Sequence, residues 1–282
     1  MSLGLQYKNR ESVFCEVEGE TPYLQYPLLS ATGVVRHGFS TRLGGVSEGC
    51  FSSLNLSFSR GDREEDVREN FRRIADSLGV RCEDMVFSQQ THTTNVRVVT
   101  EEDRGKGLVR PVEYQDVDGM ITNVPGICLA TFYADCVPLY FVDPVKKAIG
   151  LSHSGWRGTV GKIGKVTVEQ MERQYGCNPA DLYAAIGPSI CQDCYEVSED
   201  VIAKFRMHFD RQYWEDLFYR KENGKYQLNL WRANEIVLQE AGIPDTHIAV
   251  TNLCTHCNNA LLFSHRTMGN ERGNLAAFLA LK

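Results

Sequence analysis

Residues 127–153 read ICLATFYADCVPLYFVDPVKKAIGLSH, and this stretch decides the fold class. It predicts three buried strands, and the turn at Asp143-Pro144 predicts a hairpin between the second and the third. Cys136 lies at the break between the first two strands, and His153 ends the third. The run is apolar, but a charged residue and a proline interrupt it, so it does not indicate a membrane span.

Further helices and strands are predicted on both sides of this stretch. Residues 64–80 predict an amphipathic helix, because apolar side chains recur at the 3.6-residue period until Gly79 ends it. The other predicted helices span residues 158–176, 198–209 and 230–243. The other predicted strands span residues 34–39, 85–100 in two segments around a turn, 182–190, 247–254 and 261–265. We therefore expect an α+β fold with mixed, sandwich-like β-sheets flanked by helices, in a single large domain over residues 1–282.

The composition favours a cytoplasmic enzyme with a small-molecule substrate. The chain has 282 residues, 43% of them hydrophobic, and a net charge of −6. That charge argues against nucleic-acid binding, and the N-terminal residues do not have the pattern of a secretory signal. Ten cysteines then favour a reducing compartment. We expect neither a nucleic-acid partner nor a membrane partner, and the sequence leaves the oligomeric state open.

Three side chains offer a metal site. His92, Cys136 and His153 lie at predicted strand ends or turns beside small and polar residues, where binding groups tend to occur. Two imidazoles and one thiolate suit Zn²⁺, and three protein ligands leave the fourth tetrahedral position open, as in a catalytic site. Their intervals, 136 − 92 = 44 and 153 − 136 = 17, require assembly by tertiary folding. The alternative is two hydrogen-bonded core histidines and a buried free thiol.

Two loops offer anion-binding sites. In STRLGGVS, residues 40–47, the two glycines can turn backbone N–H groups towards an anion, and Arg42 could contact phosphate through two donors. Arg157 lies at the expected N-terminus of a helix, where the dipole and the side chain both attract anions. A plain surface turn is the alternative for the first loop.

Other polar residues could contact substrate or orient the metal ligands. Asn55 is as well explained as a turn-capping asparagine and Asp118 as a turn aspartate, whereas Gln90 and Asp135 are near the metal ligands in sequence. The full set of candidate contacts to substrate or phosphate is Ser40, Arg42, Asn55, Gln90, Asp118, Asp135 and Arg157.

Four further cysteines form two CxxC pairs. CQDC contains Cys191 and Cys194, and CTHC contains Cys254 and Cys257. Paired CxxC motifs are typical of structural zinc sites, but the separation here, 254 − 194 = 60, exceeds the usual ribbon spacing. We take free thiols as the default and keep a closed second zinc site and a redox pair as alternatives.

Seven ordered blocks of this sequence resemble the laccase-domain, or polyphenol oxidase-like, family. The blocks are HGFSTRLGGVS, QQTH, DVDGMITN, ADCVPLYFVDP, LSHSGWRGTVGKI, AAIGPSICQDCYEV and LLFSHR…RGNLAAF, over residues 30–280. The resemblance implies a purine nucleoside phosphorylase, which converts adenosine, inosine, guanosine or methylthioadenosine and phosphate into base and pentose 1-phosphate. It also implies zinc at His92, Cys136 and His153, which act as the catalytic residues.

Several other activities stay open. The same donors could bind Cu²⁺ in vitro, but a multicopper oxidase needs many more histidines than a chain with seven offers. A metal ion in this site also permits adenosine deamination as a second activity. Without metal, Cys136 and His153 could act as the nucleophile and base of a hydrolase or deamidase. A binding or quality-control protein without turnover is a further class.

Overall fold

Strands predominate in the computed structural model, which describes residues 3–11 and 13–282. In chain order the strands are β1 (Cys15–Val17), β2 (Tyr23–Gln25), β3 (Val35–Ser40), β4 (Met85–Phe87), β5 (Val96–Val98), β6 (Gly119–Thr122), β7 (Cys128–Tyr133), β8 (Val137–Asp143), β9 (Ala148–Ser154), β10 (Tyr183–Ile186), β11 (Glu196–Val197), β12 (Phe218–Arg220), β13 (Tyr226–Leu228), β14 (Ile248–Val250) and β15 (Leu275–Leu281). The helices are α1 (Pro27–Ser30), α2 (Glu64–Leu78), α3 (Trp156–Val160), α4 (Ile163–Tyr175), α5 (Glu199–His208), α6 (Trp214–Leu217), α7 (Leu230–Glu240) and α8 (His265–Met268).

Two predicted elements were wrong in detail. The helix expected over residues 158–176 is broken into α3 and α4, because Lys162 adopts a left-handed conformation with φ 56°. Residues 261–265 do not form the predicted closing strand. The closing strand is β15 instead, whose sequence LAAFLAL is buried along its whole length and so lacks the alternation that marks a half-buried strand.

The strands form two six-stranded sheets and a small third one. The first sheet has the order β1-β2-β3-β15-β7-β4, antiparallel except for the parallel pair β4–β7. The second has the order β14-β10-β8-β9-β6-β5, with parallel pairs at both edges. Strands β11, β13 and β12 form an antiparallel third sheet. The α+β class with mixed sheets and flanking helices is therefore confirmed.

The elements form four layers, because the side chains of each central strand alternate between two apolar clusters on its opposite faces. In β8, Leu139 and Phe141 face one apolar cluster with α4 and α7, whereas Tyr140 and Val142 face a second cluster between the two large sheets. The side chains of β15 divide in the same way between the inter-sheet cluster and a third one under α2. Two sheets thus pack face to face, and helices cover each outer face.

The chain crosses between the two large sheets at the positions that concern function. Residues 88–95 connect β4 in the first sheet to β5 in the second, and residues 134–136 connect β7 in the first to β8 in the second. The first crossing carries His92 and the second carries Cys136. His153 lies near the end of β9, next to β8. The strand order therefore brings three distant positions to one end of the sandwich.

Within residues 3–11 and 13–282, no helix combines the length and the apolar character needed to cross a bilayer.

Candidate metal centre and its cavity

The three predicted metal ligands converge. One donor atom from each of His92, Cys136 and His153 lies within 4.8 Å of the others. The Sγ of Cys136 is 3.9 Å from the Nε2 of His92, and the two imidazole rings are 4.9 Å apart at 79°. Metal–nitrogen bonds of about 2.0 Å and metal–sulfur bonds of about 2.3 Å fit donors at these separations. His92 is exposed and Cys136 is half-buried, so the centre is open on one side.

A buried carboxylate holds the His92 loop. Asp118, which is 0% exposed, accepts hydrogen bonds from the backbone N–H groups of Thr91, His92 and Thr93 at 3.1, 3.0 and 2.8 Å. The Thr93 hydroxyl donates a further bond of 2.9 Å. These bonds fix the loop while His92 adopts φ 65°, a backbone region that few non-glycine residues occupy.

The same carboxylate orients the second imidazole. The Nδ1 of His153 donates to Asp118 Oδ1 at 2.8 Å, and the backbone N–H of His153 donates to the Asp118 carbonyl at 2.7 Å. Because Nδ1 is occupied by the carboxylate, Nε2 is left to bind a metal. Metal-bound histidines usually have such a carboxylate partner.

The electrostatics of the centre favour a charged thiolate. Burial raises the pKa of the Cys136 thiol, but His153 and His92 outweigh it and lower the pKa to about 6. Burial lowers the pKa of His153, but Cys136 and Asp118 outweigh it and raise the pKa to about 9. Burial likewise raises the pKa of Asp118, yet His153 and the backbone N–H groups bring it down to about 2. Both shifts favour a thiolate at Cys136 and an imidazolium at His153 in the metal-free centre.

Asp135 fixes the backbone that carries Cys136. It has φ 88°, and both its carboxylate oxygens are used: Oδ1 accepts from the Thr255 hydroxyl and Oδ2 from the backbone N–H of Arg266, each at 2.6 Å. The carbonyl of Asp135 accepts from the backbone N–H of Ile190 at 3.0 Å. The crossing between the sheets is thus held from outside the centre.

Gly155 leaves room for the ligands. A Cβ at this position would lie 2.8 Å from His92 Cδ2 and 3.1 Å from Cys136 Sγ. Both distances are shorter than ordinary van der Waals contact, so any larger side chain here would displace His92 or Cys136.

The centre opens into a cavity of about 540 Å³. This volume is in the usual range for small-molecule sites. The walls combine His92, Cys136 and His153 with aromatic and cationic side chains. Six of the other wall residues bear on what the cavity could bind, namely Phe58, Arg60, Phe87, Gln90, Phe132 and Arg272.

Two arginines in the cavity wall have donors to spare. Arg272 is only 6% exposed, and among the described residues the buried Nε atoms of Arg60 and Arg272 meet no hydrogen-bond partner. Within the described part of the chain, no carboxylate forms an ion pair with either guanidinium. Burial and the neighbouring charge of Arg60 lower the pKa of Arg272 to about 10, while Asp135 and Cys136 oppose this shift. Two neighbouring cations with buried, unused donors are suited to an anion.

The structure places most of the other predicted contacts away from this cavity. The Arg42 guanidinium donates to the carbonyls of Ser52 and Asn259 at 2.7 and 2.9 Å and covers the Phe263 ring at 4.5 Å. Its donors are therefore used for packing the loop. Arg157 is exposed and lies over the Trp156 ring, also outside the cavity wall.

Of the five other predicted residues, only Gln90 lines the cavity. Ser40 and Asn55 are fully buried and accept hydrogen bonds from the backbone N–H groups of Ala276 and Asn274. Asp118 and Asp135 contact the ligand loops rather than the cavity space. Gln90 does line the cavity, although its amide is paired with the backbone of Phe132 at 2.8 and 2.7 Å.

Sequence reasoning missed Arg60 and Arg272. Both precede a glycine in a loop, as SRGD and ERGN show, and the predicted Arg42 also lies in a loop with glycines. No local pattern distinguishes the two arginines of the cavity wall from Arg42, and Arg272 too donates to a backbone carbonyl, that of Gly273 at 3.0 Å. The missing signal is tertiary, because Arg60 and Arg272 are 212 residues apart, 272 − 60.

Comparisons with known proteins agree with this architecture. Residues 36–282 match a family model described as multi-copper polyphenol oxidoreductase laccase. Purine nucleoside phosphorylase YlmD of Bacillus subtilis (strain 168) is 39% identical over 247 residues, covering 87% of this chain and 88% of the relative. Adenosine deaminase RL5, from an unknown prokaryotic organism, is 37% identical over 239 residues, covering 83% and 90%. The crystal structure of Bacillus licheniformis hypothetical protein YfiH superposes with a TM-score of 0.90 at 36% identity, covering 96% of this chain and 100% of that one.

Proposed function

The chain belongs to the multi-copper polyphenol oxidoreductase laccase family, and from that premise we propose that it is a zinc-dependent purine nucleoside phosphorylase. The substrates would be adenosine, inosine, guanosine or methylthioadenosine together with inorganic phosphate. The observation that carries the proposal is the joint presence, in one cavity wall, of a metal-ligand triad and two arginines with unused Nε donors. We also infer that residues 1–282 form one catalytic domain and that the protein is cytoplasmic.

The arginines would bind phosphate. Arg60 and Arg272 line the cavity, and their Nε atoms are buried without a hydrogen-bond partner in a wall where burial strengthens charge interactions. An arriving phosphate would satisfy these donors and relieve the repulsion between the two guanidinium groups. Hydrogen bonds to charged groups contribute about 1.5–3 kcal/mol each, so the pair accounts for binding of a small anion.

The aromatic side of the cavity would bind the purine. Phe87, Phe132 and Phe58 line it, and Phe58 is 37% exposed although it is a large apolar side chain. A flat heterocycle would cover such rings by stacking. The nucleoside would then extend from this wall to the arginines, with C1′ between them.

The donor set fits a single zinc ion. The triad of His92, Cys136 and His153 combines two neutral-imidazole donors with a thiolate, and Asp118 orients one ring from behind. When bound, zinc would supply Lewis-acid polarisation of a substrate oxygen. The side chains themselves hold the two reactants in line, so that a phosphate oxygen bonds to C1′ while the C1′–N9 bond breaks and its electron pair leaves on the purine.

Oxidase chemistry is not part of this proposal. The cluster offers two imidazoles and one thiolate, whereas a multicopper oxidase must hold several copper ions with many histidines. Cu²⁺ could still replace zinc in vitro, since its affinity for nitrogen and sulfur donors is usually higher.

Product analysis with and without phosphate tests the proposal. Adenosine should give adenine and ribose 1-phosphate only when phosphate is present. Replacing Arg272 or Arg60 by Gln should raise the phosphate KM by about 10- to 100-fold, as expected for the loss of one charged hydrogen bond. Arg63→Gln is the matched control, because Arg63 is exposed on the same stretch of chain. An unchanged phosphate KM in both cavity variants would refute the assignment of the anion site.

Adenosine deamination is a second candidate activity. The relative named Adenosine deaminase RL5 supports it. Inosine formed from adenosine in phosphate-free buffer would identify this reaction, and its rate should be insensitive to Arg272→Gln.

A metal-free hydrolase or deamidase is the third candidate, and one observation favours it. The low pKa of Cys136 beside the raised pKa of His153 is the arrangement of an activated thiolate nucleophile. Activity that survives complete removal of metal but is lost on thiol alkylation would favour the hydrolase over the phosphorylase.

A further inference from the structure

We propose that Cys191, Cys194, Cys254 and Cys257 bind a second zinc ion in a closed, structural site. The four Sγ atoms all lie within 4.8 Å of one another. A zinc–sulfur bond of about 2.3 Å places the sulfurs of a tetrahedral site about 3.8 Å apart. Cys194 Sγ and Cys257 Sγ are 3.6 Å apart, close to that spacing and well beyond the roughly 2.05 Å of a disulfide bond.

Backbone N–H groups point at the sulfur atoms. The N–H groups of Cys191 and Cys257 lie 3.3 and 3.5 Å from Cys254 Sγ. Hydrogen bonds of this kind stabilise a thiolate, which is the form that binds metal. The first CxxC segment is curled tightly, since the Cys194 N–H donates to the Cys191 carbonyl at 3.1 Å. Each pair of cysteines thereby presents two sulfurs on the same side of a turn.

The surroundings suit a closed site. Cys191 and Cys254 are 3% and 0% exposed, while Cys194 and Cys257 are half-buried. Ile190 and Trp231 pack against the group. Four thiolates satisfy the four positions that zinc prefers, which leaves no position for substrate. None of the four cysteines lines the cavity described above.

A cation lies beside the cluster. The Lys8 ammonium is 3.0 Å from the carboxylate of Asp193, which lies between Cys191 and Cys194 in the sequence, and the Lys8 backbone N–H donates to the Asn252 carbonyl at 2.8 Å. Zinc held by four thiolates carries a net charge of −2, and the Lys8 ammonium reduces the repulsion between that charge and the Asp193 carboxylate.

The second site would also support the first. Thr255, next to Cys254, donates to the Asp135 carboxylate at 2.6 Å, and Ile190, next to Cys191, donates to the Asp135 carbonyl at 3.0 Å. Asp135 directly precedes Cys136 in the crossing between the sheets. Holding both CxxC turns with zinc would therefore fix the backbone that positions a ligand of the catalytic centre.

Zinc stoichiometry tests the proposal independently of catalysis. The full chain, reconstituted with zinc and passed over a desalting column, should carry two zinc ions per chain. Cys136→Ala, which disables the catalytic centre, should keep one. Cys257→Ser should also keep one, and the double variant should keep none. Cys50→Ser is the matched control, a half-buried thiol outside both groups, and should keep two.

A second variant covers the case in which Cys257→Ser fails to fold. Cys257→His keeps a four-ligand set of three thiolates and one imidazole and should retain the second zinc ion. Cobalt added to Cys136→Ala should give the intense visible and charge-transfer bands of a tetrahedral thiolate complex. Absence of zinc from folded Cys136→Ala, or an intact mass lower by two hydrogens for each disulfide, would overturn the proposal. Neither result would bear on the proposed phosphorylase.

Discussion

Gly155→Ala should remove the metal centre without unfolding the protein. The new Cβ would lie 2.8 Å from His92 Cδ2, whereas carbon atoms in contact are about 3.5–4.0 Å apart. The His92 ring must therefore retreat by about 0.7 Å or more. Cys136 Sγ, at 3.1 Å from the same Cβ, is displaced as well. Metal sites tolerate deviations of about 0.2 Å in their bond lengths, so two of three ligands would fall outside the tolerance.

The expected loss of metal affinity and of turnover follows from the displacement of the two ligands. Disturbing the support of a metal ligand typically costs about 10- to 100-fold in metal affinity, and a shift of about 1 Å can cost about 100-fold in turnover. Stability should change little, since His92 is exposed and its ring can move into solvent. Gly155 itself has φ −70°, which alanine adopts without strain.

Zinc competition against a chromophoric chelator, carried out in the Cys257→Ser background so that the four-cysteine site does not contribute, measures the affinity, and urea unfolding of the metal-free protein measures the stability. Gly158→Ala is the matched control, because its Cβ would meet its nearest neighbour, the His153 carbonyl, at 3.4 Å. That variant should bind zinc normally. If Gly155→Ala bound zinc with the affinity of the unsubstituted protein, His92 and Cys136 could not both be ligands, and the assignment of the centre would fail.

Three further outcomes are expected from the buried charges. Asp118→Asn should weaken zinc binding about 10- to 100-fold and lower the free energy of unfolding by about 3 kcal/mol. The reason is that an amide replaces a carboxylate that accepts several N–H groups. Equal urea midpoints for the variant and the unsubstituted protein would contradict this. Burial raises the pKa of Asp103, but backbone bonding, Lys106 and Arg97 outweigh it and lower the pKa. Its contribution to stability is therefore complete above the unfolded pKa of about 3.9 and is lost as the pH falls through the lower folded value. Asp103→Asn should cost about 2 kcal/mol at pH 7 and progressively less in acid, and a constant difference across that range would be inconsistent with the ion pairs. After metal removal, Cys136 should be the thiol that is alkylated fastest at pH 7, and its alkylation rate should decrease as the pH drops below 6. Added zinc should protect it. Peptide mass spectrometry identifies the modified cysteine, and faster alkylation of another thiol would contradict the prediction.

The convergence of two imidazoles and one thiol could be predicted from sequence, while the metal that they would bind stays a prediction. Imidazole and thiolate donors at strand ends have few structural roles, so His92, Cys136 and His153 stood out. Asp135 is also among the residues that the sequence predicts could orient the ligands, but Asp118 is equally well explained there as a turn residue. In the sequence, a buried aspartate such as Asp118 cannot be distinguished from an aspartate in a surface turn. Only the folded chain shows that Asp118 accepts hydrogen bonds from three backbone N–H groups of one loop.

The proposed anion site illustrates the same limit. Arg42 was predicted and Arg60 and Arg272 were not, although all three are loop arginines near glycines. Which guanidinium keeps unused donors depends on the carbonyls that approach it, as Ser52 and Asn259 approach Arg42. Such pairings are set by tertiary packing, which leaves no local trace.

The fold class could be predicted from the many short apolar runs among a few helices, but the central strand of the first sheet, β15, could not. In β15, leucine, alanine and phenylalanine fill every position because helices and strands cover both faces. Alanine-rich runs of this kind suit helices and buried strands equally, so periodicity could not decide between them.

The position of β15 has a consequence for biosynthesis. It lies between β3 and β7, and it pairs Leu281 with Val35, 281 − 35 = 246 residues earlier. All three candidate ligands have been translated by residue 153. The sheet that carries the His92 and Cys136 crossings lacks its central strand, β15, until residue 281, which is 281 − 153 = 128 residues later. At about 5–20 residues per second this delay is roughly 6–26 s. Metal loading should therefore follow the synthesis of β15, and until then Cys136 is an ordinary thiol, because the imidazoles that lower its pKa are not yet in place.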